Sequence, residues 1–146
     1  MIDANVAVAV VSNQAGRETT ATNALTNYAS QGYEWFAPGA IVTEVLYALC
    51  QTHQAGLLTA VELQDAIRKF EVLMESILRP PDGESALVGR AFQIGYSYGC
   101  SRSADAVYIA LAETLSQTRP TVLLTFDQGL PNQASKNAPT VIVQVL

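Results

Sequence analysis

Residues 101–127, SRSADAVYIALAETLSQTRPTVLLTFD, decide how this chain is read. They predict a helix over 104–116 with Ser101 or Ser103 as its cap. A short loop follows, then an apolar, β-branched strand over 121–125, entered at Pro120, where a missing N–H does least harm. Asp105 falls in the first turn of the helix and Asp127 just past the strand. If that strand is parallel and central, both carboxylates come to one edge of the sheet. Two more acids stand in similar surroundings upstream, Asp3 in MIDAN and Glu44 in APGAIVTEVLYAL.

Working outward, the opening MIDANVAVAVV carries two patterns. Val6, Val8 and Val10 alternate as in a strand, yet the segment also permits a strand end followed by a helix. We read a strand edge at 1–2, then Asp3, then a helix from about Val6. A helix over 20–31 is predicted from Ala21, Leu25, Tyr28 and Ala29, with Gly32 just past its end. A short strand over 33–37 is stopped by Pro38 and Gly39. A helix over 41–52 presents Ile41, Val42, Val45, Leu46 and Leu49 to the core, with Glu44 beside that face. Thr59 followed by Glu62 is a capping-box signature for a helix over 60–77. Pro80 and Pro81 force a loop. A helix over 85–98 closes at Gly99. Residues 130–137 read as a loop or short helix, and 140–145 as a last strand. Short apolar strands separated by helical stretches imply an α/β fold in three layers, with one mostly parallel sheet flanked by helices. No repeat or linker interrupts residues 1–146, so one domain is expected.

The composition narrows the chemistry. With 49% hydrophobic and only 14% charged residues, the chain is built to fold around a core rather than stay disordered. A net charge of -5 disfavours broad, charge-driven binding to nucleic acid, although a bound cation can invert the local field. His53 is the single histidine, and Cys50 and Cys100 lack ligand spacing, which excludes a His/Cys zinc site. Both thiols lie in apolar segments and are expected to be buried. The opening lacks a signal-peptide pattern and no apolar run is long enough to span a membrane, so a soluble cytoplasmic protein is expected.

Five aspartates are present, and Asp65 and Asp82 fall on a polar helix face and in a Pro/Gly loop. Asp3, Asp105 and Asp127 lie against apolar segments, where an unpaired charge is costly. Taken singly, each has an ordinary structural explanation: a turn, a helix N-terminus, a strand end. Glu44 alone could simply face solvent. Taken together, the four make an all-oxygen donor set suited to Mg²⁺ or Mn²⁺ and to phosphodiester hydrolysis. Asn5, Ser103 and Thr125 are candidates for orienting the carboxylates without adding charge.

These segments resemble those of the PIN-domain ribonucleases, most closely the toxin-type nucleases of toxin–antitoxin pairs. MIDANV resembles the opening aspartate motif, PGAIVTEVLYAL the glutamate helix, SADAVYIALAE the central aspartate motif and LLTFDQGL the closing Thr-x-Asp segment. The resemblance implies that Asp3, Glu44, Asp105 and Asp127 hold Mg²⁺ or Mn²⁺ and cleave RNA. It also implies a small antitoxin partner and a homodimer. Arg102 stands immediately beside the proposed acids, and Arg17, which the sequence does not place, is a candidate for the same rim, both as substrate contacts. Phe70, Leu73, Met74, Ile77 and Phe92 are candidates for a homodimer or antitoxin contact. A non-catalytic module of the same fold that binds protein or RNA, and a DNA-directed nuclease, are the competing readings.

Overall fold

The computed structural model describes residues 1–14, 16–100 and 102–146. Its helices are α1 (Ala4–Val11), α2 (Arg17–Ser30), α3 (Ala40–Gln54), α4 (Ala60–Glu75), α5 (Val88–Tyr96), α6 (Ser103–Ser116) and α7 (Leu130–Asn137). Its strands are β1 (Trp35–Phe36), β2 (Ile77–Leu78), β3 (Val122–Thr125) and β4 (Ile142–Val145). β1 pairs in parallel with β2, Trp35 opposite Ile77, and β3 pairs in parallel with β4, Val122 opposite Ile142.

Residues 1–3 join these two pairs into one sheet. On one side Ile2 N donates to Phe36 O at 3.2 Å. On the other, Asp3 N donates to Leu124 O at 3.0 Å and Leu124 N to Met1 O at 3.1 Å. The result is a mixed α/β fold with a central parallel sheet flanked by helices, its strands running β2, β1, residues 1–3, β3, β4. The first strand is thus a single parallel bridge, Ile2 to Leu124, as short as the sequence suggests.

α1 begins at Ala4, earlier than the expected Val6. Ala4, Val6, Ala7, Val8, Ala9 and Val11 are all buried, so the helix is enclosed on nearly every side. That enclosure explains why its valines show no amphipathic spacing. Helices α2, α3 and α4 and strand β3 pack around it. Ile2, Ile41, Leu49, Ile94, Ile109, Leu111, Leu123 and Leu124 are fully buried and supply much of the core.

Several expectations are corrected. The helix predicted over 60–77 ends at Glu75, and the chain then runs extended to place Ile77 and Leu78 beside β1. Consequently Phe70 and Ile77 are core residues, Leu73 and Met74 are half-buried, and of the five interface candidates only Phe92 is exposed. The helix predicted over 85–98 splits into a 3-10 turn, Glu84–Leu87, and the shorter α5. Leu46 and Ala29 are exposed, because the buried stripes of α3 and α2 are narrower than predicted. Cys50 and Cys100 are both exposed, not buried. Cys50 faces outward from α3, and Cys100 lies in a turn with φ 60°. Arg102, not Ser103, takes the N-cap position of α6, and Ser103 is its first helical residue. Ser101, the other cap candidate, lies outside the described residues. Residues 130–137 are helical. Among the described residues, no helix is long and apolar enough to cross a membrane.

The capping box at Thr59 is formed as read. Thr59 Oγ1 accepts from Glu62 N, and the Glu62 carboxylate accepts from Thr59 N at 2.8 Å. Thr59→Ala should lower the midpoint of thermal unfolding by about 2–4 °C in a calorimetric scan.

Candidate active site

The sheet delivers Asp3 and Asp127 to one edge through a shared hydroxyl. Thr125, the last residue of β3, is fully buried. Its Oγ1 donates to Asp3 Oδ2 at 2.6 Å and accepts from Asp127 N at 2.9 Å and from Asn5 Nδ2 at 3.0 Å. One donor and two acceptor sites are all a hydroxyl offers, and all are used. Asn5 Nδ2 also donates to Asp3 Oδ2 at 2.7 Å, while Asn5 Oδ1 accepts from Phe126 N at 2.9 Å. Asn5 and Thr125 therefore both bond to the Asp3 carboxylate. Ser103 does not share this arrangement: its hydroxyl donates to Cys100 O at 3.0 Å.

Asp127 combines the site position with a turn. Its Oδ1 accepts from Gly129 N at 2.7 Å, closing an Asx turn ahead of α7. Its Oδ2 accepts from Arg102 Nη1 at 2.7 Å. Asp105, in the first turn of α6, accepts from the same Arg102 Nη1 at 3.2 Å. Glu44 reaches in from α3 and accepts from Tyr108 Oη at 2.6 Å. Asp3, Glu44, Asp105 and Asp127 line one cavity, together with Asn5, Gln14 and Arg17. The Arg17 guanidinium lies 5.2 Å from the centroid of the Phe126 ring.

Burial and crowding both act on the acids. Asp3 is raised above the usual carboxylate range, chiefly by burial, against which the Thr125 hydroxyl acts. Glu44 and Asp127 add like-charge repulsion to it. Asp105 is raised by burial and then by Asp3, with Arg102 acting in the opposite sense. Glu44 is raised by burial and by Asp105, and lowered by the Tyr108 hydroxyl. This is a cluster short of positive charge.

The chain matches the PIN domain model over residues 1–136. It belongs to the PIN-domain family. Among curated proteins, none matches the chain.

A divalent ion is implied for a PIN domain, and the cavity suits one in part. Its acidic donors are all oxygens, the ligand type Mg²⁺ and Mn²⁺ prefer. The raised carboxylates also favour a counter-charge. As the side chains stand, however, no three His, Cys, Asp or Glu residues among those described are grouped closely enough to hold a metal. Arg102 takes up one oxygen each of Asp105 and Asp127.

Two residues that hold these side chains escaped the sequence reading. Tyr108 is almost fully buried and holds Glu44. Its spacing of three from Asp105, on the same turn of helix, is a signal that could have found it. Gly129 seats Arg102: a Cβ built on it would lie 2.7 Å from Nη1 and 2.8 Å from Nη2 of that side chain. Nothing in the sequence marks that contact.

Proposed function

We propose that this PIN domain is a metal-dependent endoribonuclease that hydrolyses RNA phosphodiester bonds, with Asp3, Glu44, Asp105 and Asp127 as metal ligands and catalytic groups. One observation carries the reading: four carboxylates from β3's edge, α3, α6 and residue 3 face a single cavity, and three of them are raised by burial and mutual repulsion. An ion bound there would supply Lewis-acid polarisation of the phosphoryl group and activation of water.

The chain's own residues do the positioning. Thr125 and Asn5 fix Asp3 Oδ2 through hydrogen bonds, and Tyr108 fixes Glu44. The Asx turn fixes Asp127. Arg17, beside the cavity, is a contact for the RNA phosphate, and so is Arg102 once it leaves the carboxylates. With a net charge of -5, substrate binding rests on these few groups and on the ion rather than on a broad basic surface. A small antitoxin covering the cavity and a homodimer complete the proposal. The exposed apolar ridge of α5, Val88, Phe92 and Tyr96, is the surface available for assembly.

Single-stranded RNA and DNA of equal length, incubated with Mn²⁺ or with chelator, test it. RNA should be cleaved with Mn²⁺ and spared with chelator. If neither strand is cut and calorimetry finds no Mn²⁺ binding at millimolar concentration, the non-catalytic module is the better account. Cleavage of DNA alone replaces the substrate. Sedimentation showing a strict monomer at high concentration removes the homodimer.

A further inference from the structure

Arg102 is held at the acidic cavity by more than charge. Its Nη1 donates to Asp127 Oδ2 at 2.7 Å and to Asp105 Oδ2 at 3.2 Å, bridging carboxylates from two separate elements. Its backbone carbonyl accepts from Nε2 of the buried Gln133 at 3.4 Å, which ties the base of the side chain to α7. The guanidinium lies directly over Gly129, whose missing side chain makes the seat. Gly129 has φ -85° and ψ -24°, a conformation any residue adopts, so its backbone does not require glycine. The nearest atoms a Cβ would meet all belong to the Arg102 guanidinium.

We infer that Arg102 is a built-in counter-ion that occupies the Asp105–Asp127 end of the cavity and must leave it before a divalent cation can be held there. The inference rests on the proposed metal-dependent reading of the site. It accounts for two facts at once: four acids share a cavity, and no three of them are grouped to hold an ion. The one guanidinium nitrogen Nη1 bridges both carboxylates and supplies the positive charge that a cation would bring to them. The pair is partly exposed, with 39% of the Arg102 side chain accessible, so it is weak enough to yield to a doubly charged ion. Arg102 is in these terms a positioning residue that sets the threshold of metal concentration.

The test is Mn²⁺ calorimetry on the full chain, without substrate, for wild type, Arg102→Met and Gly129→Ala. Arg102→Met removes the competing charge and should bind Mn²⁺ about tenfold more tightly. Gly129→Ala keeps the charge but fills the seat, and should bind about threefold more tightly. It also guards against misfolding, since its only clash is with the end of a flexible side chain. Both variants should melt at a lower temperature than wild type without metal, and regain the difference at saturating Mn²⁺. If wild type binds Mn²⁺ and both variants bind equally or more weakly, the inference is overturned while the nuclease reading stands. If no variant and no wild type binds Mn²⁺, both fall together.

Discussion

Asp105→Asn should reduce Mn²⁺-dependent RNA cleavage by at least about a hundredfold while leaving the fold intact, because a displaced metal forfeits several kcal/mol of transition-state stabilisation. Asparagine keeps the shape of the side chain and loses its charge. Asp105 lies in the first turn of α6, where the helix dipole favours an anion, but burial and the neighbouring Asp3 push its carboxyl above the ordinary range. In the folded state it therefore holds its proton more tightly than in the unfolded chain. A carboxyl raised in this way costs stability as pH climbs, since the unfolded chain ionises first. Without metal, Asp105→Asn should match wild type below about pH 4 and melt no lower, or slightly higher, at pH 7. Loss of the partly exposed bond to Arg102 trims that gain. Full activity and full Mn²⁺ affinity in the variant would remove Asp105 from the site. A large loss of metal-free stability would instead make the carboxylate structural.

Thr125→Val should destabilise the protein by about 2–4 kcal/mol although it conserves volume and β-branching. The cost comes from what the hydroxyl leaves behind. Asp3, almost fully buried, loses a donor at 2.6 Å, while Asn5 Nδ2 and Asp127 N lose an acceptor. The Thr125 bond lowers the Asp3 pKa, so its removal raises that carboxyl further and weakens Asp3 as a ligand at neutral pH. Chemical denaturation should show the lower midpoint, and Mn²⁺ calorimetry the lower affinity. Thr125→Ser, which restores the hydroxyl, should recover most of the affinity. Denaturation curves for Thr125→Val that overlay wild type would mean that water replaces the hydroxyl without cost.

The sequence made some parts of this site readable for a local reason. Asp105 and Asp127 bracket one helix–loop–strand unit, and a parallel strand brings both to one sheet edge. Asn5 and Thr125 were within reach because each stands two residues from an acid. Arg102 stood beside Asp105 and was noticed, but its seat on Gly129 joins the two ends of that unit through space, and no spacing rule reports it. β2 was hidden because two residues directly after a helix carry no period, and only pairing with β1 makes them a strand. The valines of α1 alternate as in a strand, so the segment carried two patterns, and the helix read from about Val6 is the one that forms, starting at Ala4. Their enclosure by other helices overrides the alternation. The exposed cysteines show the limit of composition: apolar neighbours in sequence do not say which way a single thiol faces.

Asp3 and Thr125 are 122 residues apart along the chain, yet one hydrogen bond joins them at the middle of the sheet. Parallel pairing over such a span is slow to form, because the loop must close before the contact stabilises anything. During synthesis, Asp3 and Asn5 emerge well before Thr125, the residue of β3 that orders them. A nascent chain on its ribosome has no assembled cavity until β3 has been made and paired. Under the nuclease reading, the topology itself delays activity and shields the message being read from its own product.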